Sequence, residues 1–203
     1  IVFKISDTDQ VTIKDWFISS AYYVEEIQFA DGTKWTTEIL YKMSHLILGT
    51  DGADSLSGLG GDDLIDGGDG EDVITDGSGV NILNGGAGND VIKGMGTLHG
   101  GTGDDVLTGS DGYSGDTYLF NIGDGKDSIS DYGYGGSIDK LVFGAGIVAA
   151  NVEVLKVGND MVFKLSETDQ VTVKNWFVQT AYYIEEIQFA DGTKWTVDTL
   201  RLM

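Results

Sequence analysis

Between Gly49 and Asp131 one large apolar residue returns every nine positions over most of the stretch, on a background of glycine and aspartate. These residues are Leu56, Ile65, Ile74, Leu83, Ile92 and Leu107, followed by Tyr118 and Ile129 in two less regular copies. The last three places of each nine-residue unit predict a short strand. Because side chains alternate along a strand, only the eighth-place residue of each unit points inward. A flexible acidic linker has no reason to keep such a period, whereas stacked coils that share one apolar interior do.

One unit shows the pattern whole: Gly85-Gly86-Ala87-Gly88-Asn89-Asp90-Val91-Ile92-Lys93, or GGxGxDxUx with U a large apolar residue. Further copies start at Gly49, Gly58, Gly67, Asp76 and Gly100, and broken ones at Gly109 and Ile122. Glycine at places one, two and four lets the backbone turn and leaves carbonyl oxygens uncovered. Aspartate at place six adds a carboxylate. Such a mixture of carbonyl and carboxylate oxygens suits a hard cation taking six to eight ligands, which is calcium. After Lys93 the frame slips, and Gly94 to His99 is a unit shortened by three, with Gly96 in the aspartate's place. The copy from Gly109 carries an insertion, Tyr113-Ser114-Gly115, before Asp116, and its ligation stays open.

A second, longer repeat frames the first: residues 1–40 recur at 161–200 with 28 of 40 positions identical. A period that long is a module, not a solenoid rung. Within it Val171 to Lys174 alternates, Tyr183 to Phe189 is rich in strand formers, and Asp191-Gly192 predicts a tight hairpin. Thr196 is an expected N-cap for a short helix with Asp198 in its first turn and Leu200 beneath it. The earlier copy repeats this from Thr36 through Glu38, Ile39 and Leu40. A covering core is expected from Phe143, Val152, Val154, Leu155, Val157, Val162, Phe163, Leu165, Trp176 and Phe177. The chain reads as a piece of a longer tandem array.

Charge sharpens the picture. The net charge is -21, and the stretch 49–131 holds about 17 acidic residues against two lysines. Stacked carboxylates repel, so this glycine-rich segment is expected to stay unfolded until cations neutralise it. So acidic a surface argues against nucleic acid as a partner. There is no cysteine, hence no disulfide, and no apolar run long enough for a membrane span; the first residues do not read as a signal peptide. No nucleophile elbow, HExxH or phosphate loop is present. His99 ends a strand with no cysteine anywhere, which makes zinc a poor fit. Neighbours on a strand face opposite ways, so Glu185-Glu186 does not read as an acid–base dyad, and Glu185 or Glu186 reads as solvated.

The nonapeptides resemble the RTX, or haemolysin-type calcium-binding, repeat of secreted bacterial proteins, and the flanking module resembles the capping region that follows such repeats. The resemblance implies an all-β protein: a right-handed parallel β-roll flanked by β-rich caps with short helices. It divides the chain into a cap-like module at 1–48 belonging to a preceding block, the roll at 49–131, and a C-terminal capping region at 132–203. It also implies that turns one coil apart share an ion, through carbonyls of places two and four of one turn, carbonyls of places one and three of the next, and both place-six carboxylates.

Carried onto this chain, Thr50, Gly52 and Asp54 pair with Gly67, Asp69 and Asp72. Gly68, Gly70 and Asp72 pair with Gly85, Ala87 and Asp90, and Gly86, Gly88 and Asp90 with Gly100, Thr102 and Asp105. Gly101, Gly103 and Asp105 face Ile122, Asp124 and Asp127. On the opposite side Leu59, Gly61 and Asp63 meet Asp76, Ser78 and Asn81, a weaker or absent site because Asn81 brings an amide. About four or five calcium ions are expected.

By the same resemblance the chain is a non-enzymatic calcium-binding block of a large protein, exported by a type I secretion system and folding in extracellular calcium or at the bacterial surface. It would serve as a spacer or folding module of a toxin or adhesin beside adjacent blocks. Two alternatives stay open. One is an accessory module of a secreted protease, lipase or polysaccharide epimerase. The other is a glycan-binding adhesin module contacting a host cell through Trp16, Tyr22, Tyr23 and Trp35 and their copies Trp176, Tyr182, Tyr183 and Trp195, although such aromatics more often pack a cap core.

Overall fold

The computed structural model describes residues 2–4, 10–12, 24–109, 115–133 and 137–202. The chain divides into two units, 1–46 and 47–203. In the first, β1 (Val2–Lys4) and β2 (Gln10–Thr12) pair antiparallel, as do β3 (Glu26–Gln28) and β4 (Lys34–Thr36), and α1 (Thr37–Ser44) follows with Leu40 buried. β5 (Leu46–Leu48) spans the boundary.

The second unit is built from two eight-stranded sheets. One contains β6 (Ser55–Ser57), β8 (Val73–Thr75), β10 (Val91–Gly94), β12 (Val106–Gly109) and β14 (Lys126–Ser130) in parallel, then β18 (Gln170–Val173), β17 (Asp160–Lys164) and β16 (Glu153–Val157). The other runs from β5 through β7 (Leu64–Asp69), β9 (Asn81–Ala87), β11 (Gly96–Thr102), β13 (Thr117–Phe120), β15 (Lys140–Phe143) and β19 (Glu186–Gln188) to β20 (Lys194–Thr196). Consecutive strands alternate between the sheets, so each nonapeptide is half a coil of a parallel β-solenoid. The protein is all-β with few short helices, as the resemblance of its nonapeptides implies.

Register carries the inward residues into two ladders. Leu56, Ile74, Ile92, Leu107, Ile129 and Val173 are in line in one sheet. Ile65, Leu83, Leu98, Tyr118, Leu141 and Ile187 are in line in the other. Apart from half-buried Leu56, all of these are at most 1% exposed. The shortened unit keeps its place because Leu98 fills its rung. Both ladders run past Asp131: β18 lies beside β14 and β19 beside β15, so the capping module supplies a further coil before its hairpins β16–β17 and β19–β20 turn antiparallel and end the parallel stacking.

The capping core differs from expectation in three places. Phe143, Val162, Phe163 and Trp176 are buried, and Trp176 stacks on Tyr183 at 4.5 Å. Val157 (58% exposed) and Phe177 (40%) instead lie at the surface, Phe177 beneath the Lys156 ammonium. Thr196 does occupy the N-cap of α2 (Val197–Leu200), yet its side chain makes no capping bond. The Asp191-Gly192 turn forms as expected, with Gly192 at φ 86° and the Asp191 carboxylate accepting from the Thr193 N–H. Of the aromatic set, Trp16, Tyr22 and Tyr23 fall outside the described residues.

Candidate metal centres between stacked turns

The turns at one edge of the solenoid stack a column of aspartates. The N–H of Asp54 donates to Asp72 Oδ1 (2.7 Å), Asp72 to Asp90 (2.8 Å), Asp90 to Asp105 (2.7 Å) and Asp105 to Asp127 (3.1 Å). The steps span 18, 18, 15 and 22 residues, so the deleted and inserted residues are absorbed without breaking the column. One oxygen of each accepting carboxylate is thereby used. The second oxygen of Asp72, Asp90 and Asp105 is buried with no hydrogen-bond partner. An ionised oxygen left so is costly unless a cation faces it.

The backbone supplies the rest of a cation's surroundings. A side chain placed at Gly67 would collide with both Asp72 Oδ2 and the Gly85 carbonyl oxygen, and one at Gly85 with Asp90 Oδ2 and the Gly100 carbonyl. Carboxylate and carbonyl oxygens from successive coils therefore converge on the same space. The place-two carbonyls of Thr50, Gly68 and Gly86 and the place-four carbonyls of Gly70 and Gly88 likewise point at glycines of the following turn. Gly86 (φ 109°) and Gly88 (φ 130°) meet both demands, a left-handed backbone and no Cβ in the path of the oxygen behind them. All donors are hard oxygens, the set that suits calcium, so the residues present fit that ion.

Along this edge the structure brings together the carboxylates of the four expected sets, Asp54 with Asp72, Asp72 with Asp90, Asp90 with Asp105, and Asp105 with Asp127. The carbonyl stacking seen at Gly68, Gly86 and Gly101 is not repeated at Gly123, where a Cβ would meet nothing within 4 Å. In the last set, the Gly103 N–H reaches the Asp124 carbonyl (2.8 Å). The Asp124 side chain points elsewhere, toward His99 Nε2 (3.1 Å).

The opposite edge is different. Leu59, Gly61 and Asp63 do meet Asp76, Ser78 and Asn81, and the Asp63 N–H donates to Asn81 Oδ1 (3.0 Å). However, the Asn81 amide donates to the Ser78 carbonyl (3.3 Å), and the Ser78 hydroxyl donates to the Leu59 carbonyl (3.2 Å). Two carbonyls of the expected set thus accept from side-chain donors of one turn, and Asn81 brings an amide where the acidic edge has a second carboxylate oxygen. Asn81→Asp removes one of those donors and restores a carboxylate. It is expected to add one bound calcium per chain, counted by native mass spectrometry; an unchanged count would show that the amide is not what closes this gap.

Beyond Asn81 the column continues through residues whose role the repeat frame did not reveal. The Asn81 N–H donates to the Met95 carbonyl (3.1 Å), which stands in for the missing aspartate of the shortened unit. Gly96 N–H donates to Asp116 Oδ1 (2.7 Å), Asp116 to Asp139 Oδ1 (2.8 Å), and Asp139 to Glu185 Oε2 (2.8 Å). Glu185 is thus the last rung of the column, while Glu186 on the other face pairs with Lys194. Buried Asp131 joins Asp116 and Asp139 within 4.8 Å and accepts the Tyr118 hydroxyl (2.6 Å). The sequence pattern marked Asp131 only as the end of the repeat stretch. Residues 110–114, which hold most of the insertion, fall outside the described residues.

Burial raises several of these acids. It pushes Asp105 up to about 6, Asp131 to about 7 and Asp127 to about 8, with neighbouring carboxylates adding to the effect. The folded chain then holds these protons more tightly than the unfolded chain, whose carboxyls sit near 3.8. In chelator the coil is therefore expected to be favoured near pH 4 and to lose stability as pH rises through about 8. With calcium the order reverses, because ligating carboxylates must be deprotonated and the midpoint calcium concentration rises on acidification. Near-ultraviolet circular dichroism at pH 5 and pH 8, with and without chelator, checks both signs.

Comparison with known proteins identifies both repeats of the chain. Residues 1–38 and 160–199 match the model of the haemolysin-type calcium binding protein related domain, and 48–75, 75–96 and 94–112 match the RTX calcium-binding nonapeptide repeat. Iron-regulated protein FrpA of Neisseria meningitidis serogroup C is 34% identical over 90 residues, 42% of this chain and 8% of that protein. This chain therefore spans a small fraction of that relative's length. Among solved structures, extracellular lipase LipA from Serratia marcescens aligns over 63% of this chain and 37% of its own, at 19% identity and a TM-score of 0.24.

Proposed function

We propose, for a chain that belongs to the RTX repeat proteins, that it is a calcium-loaded folding block of a large secreted protein. RTX nonapeptides are calcium-binding, and proteins that carry them are typically secreted. The observation that carries the finer reading is the set of buried, unpartnered second oxygens on Asp72, Asp90 and Asp105. Calcium bound between the turns supplies the positive charge and ligation that these oxygens lack.

The chain's own residues make the response steep. Asp72, Asp90 and Asp105 each face two gaps, so occupation of one gap orders an aspartate needed by the next. Without ions, a chain of net charge -21 gains from keeping these carboxylates apart, which favours the unfolded form. With ligand at a hundred times its dissociation constant, each site contributes about 2.7 kcal/mol to the folded state. A chain unfolded at low cytosolic calcium fits passage through a type I secretion channel, and millimolar calcium outside folds it. The duplication of 1–40 at 161–200 favours a repeated, spacer-like use within a toxin or adhesin.

The test is far-ultraviolet circular dichroism during a calcium titration, with magnesium as control. The strand signal is expected to be small in chelator and to rise with calcium alone. A complete strand signal in chelator would overturn the folding switch.

A further inference from the structure

The forty-residue module occurs twice, with 28 of 40 positions identical, and its two copies have different surroundings. Locally they fold alike. β1–β2 pairs Phe3 with Val11 as β17–β18 pairs Phe163 with Val171, and β3–β4 pairs Ile27 with Trp35 as β19–β20 pairs Ile187 with Trp195. In the C-terminal copy the other edge of β18 is taken by β14 and that of β19 by β15. Among the described residues, β2 and β3 have no second neighbour. Burial follows the pairing. Val11 is 51% exposed where Val171 is 0%, Phe29 is 38% where Phe189 is 5%, and Ile27 is half-buried where Ile187 is 0%.

We propose that the open edges of β2 and β3 are the docking surface for the last coil of another β-roll of this kind, which pairs in parallel with them as β14 and β15 pair with β18 and β19. An unpaired strand edge offers a row of N–H and C=O groups to an added strand, and alternate side chains give it specificity. The covered copy shows what that partner carries. Ile129 and Leu141 stand in register with Val173 and Ile187, and Lys140 sits opposite Glu186. The Asp139 N–H donates to Glu185. Glu25 and Glu26, the counterparts of Glu185 and Glu186, are exposed. Glu26 pairs with Lys34 as Glu186 pairs with Lys194, which leaves Glu25 in the place of the acceptor for that N–H and Glu26 in the place opposite that lysine. The occupant is thus a coil ending in an Asp-Lys-apolar strand, such as residues 126–143 of a further block. This deepens the reading of the chain as one block among several and rests on it.

The experiment joins a second copy of residues 47–160 directly ahead of residue 1 of the full chain, which reproduces the native junction between 160 and 161. Amide hydrogen exchange in calcium compares this two-block chain with the 203-residue chain. Residues 10–12 and 26–28 are expected to exchange about tenfold or more slowly in the two-block chain, approaching 170–173 and 186–188. Val11→Asp with Ile27→Asp should return them to fast exchange. The proposal is overturned if these amides exchange at the same rate in both chains, if they are already protected in the 203-residue chain, or if the double substitution leaves the protection in place. The calcium-dependent strand signal, read on the same samples, shows separately whether the folding-block reading survives.

Discussion

Asp90→Ala is expected to raise the calcium concentration at half-folding by more than about tenfold, and Asp90→Asn to raise it by less. Asp90 stands between two gaps of the acidic column. Its Oδ1 accepts the Asp72 N–H, its own N–H reaches Asp105 Oδ1, and its Oδ2 is buried without a partner. Alanine removes a ligand from both gaps and strands the Asp72 N–H, which alone costs about 1–3 kcal/mol. Asparagine keeps the acceptor but brings an amide, the situation already found at Asn81. The two variants separate the hydrogen-bonded column from the charge it holds. Calcium titrations followed by circular dichroism give the order, and equal midpoints for wild type and Asp90→Ala would remove this edge from the ion-binding account.

Gly86→Val is the second large effect, expected to destabilise the calcium-saturated roll by about 4 kcal/mol or more. A valine would be held at a φ of 109°, where β-branched residues are strongly disfavoured, and its Cβ would collide with the Gly68 carbonyl oxygen. The neighbour that must yield is backbone already paired in register, Gly68 with Gly86, so relief comes only by separating β7 from β9. Gly77→Ala is the control. A Cβ there meets nothing within 4 Å, and the change should stay within about 0.5 kcal/mol. Urea unfolding in saturating calcium measures both. Equal stabilities would mean that the close approach at Gly86 is not a constraint on folding.

Both predictions concern residues that the nine-residue frame marks. Wherever the unit is intact, sequence spacing and spatial stacking are the same quantity, so Asp72 and Asp90 could be placed one coil apart by counting. Counting failed where the unit was altered. The insertion before Asp116 and the loop before Asp139 hide that these two acids belong to one column, and Glu185, which ends it, lies 46 residues from its partner Asp139. Asp131 is drawn in because Tyr118 fills an inward rung where Leu98 and Leu141 stand on either side, and a buried phenol needs an acceptor for its hydroxyl.

The resemblance of the nonapeptides implied the stacked coils and the acidic column, and the amino-acid sequence by itself determined the strand in each unit, its inward apolar residue and the hairpins of the repeated module. The latter three follow from local rules: side-chain alternation, glycine where the backbone turns, and turn chemistry within a few residues. Tertiary structure decided three further matters. It engaged the Asn81 amide with a carbonyl that an ion would need, it assembled Asp116, Asp131 and Asp139 from irregular units, and it buried Val171 and Ile187 while leaving Val11 exposed and Ile27 half-buried. The last contrast gives the physical reason. Local pairing is encoded within the forty residues and forms in both copies, whereas burial depends on the strand that arrives beside it, and that strand comes from elsewhere in the chain.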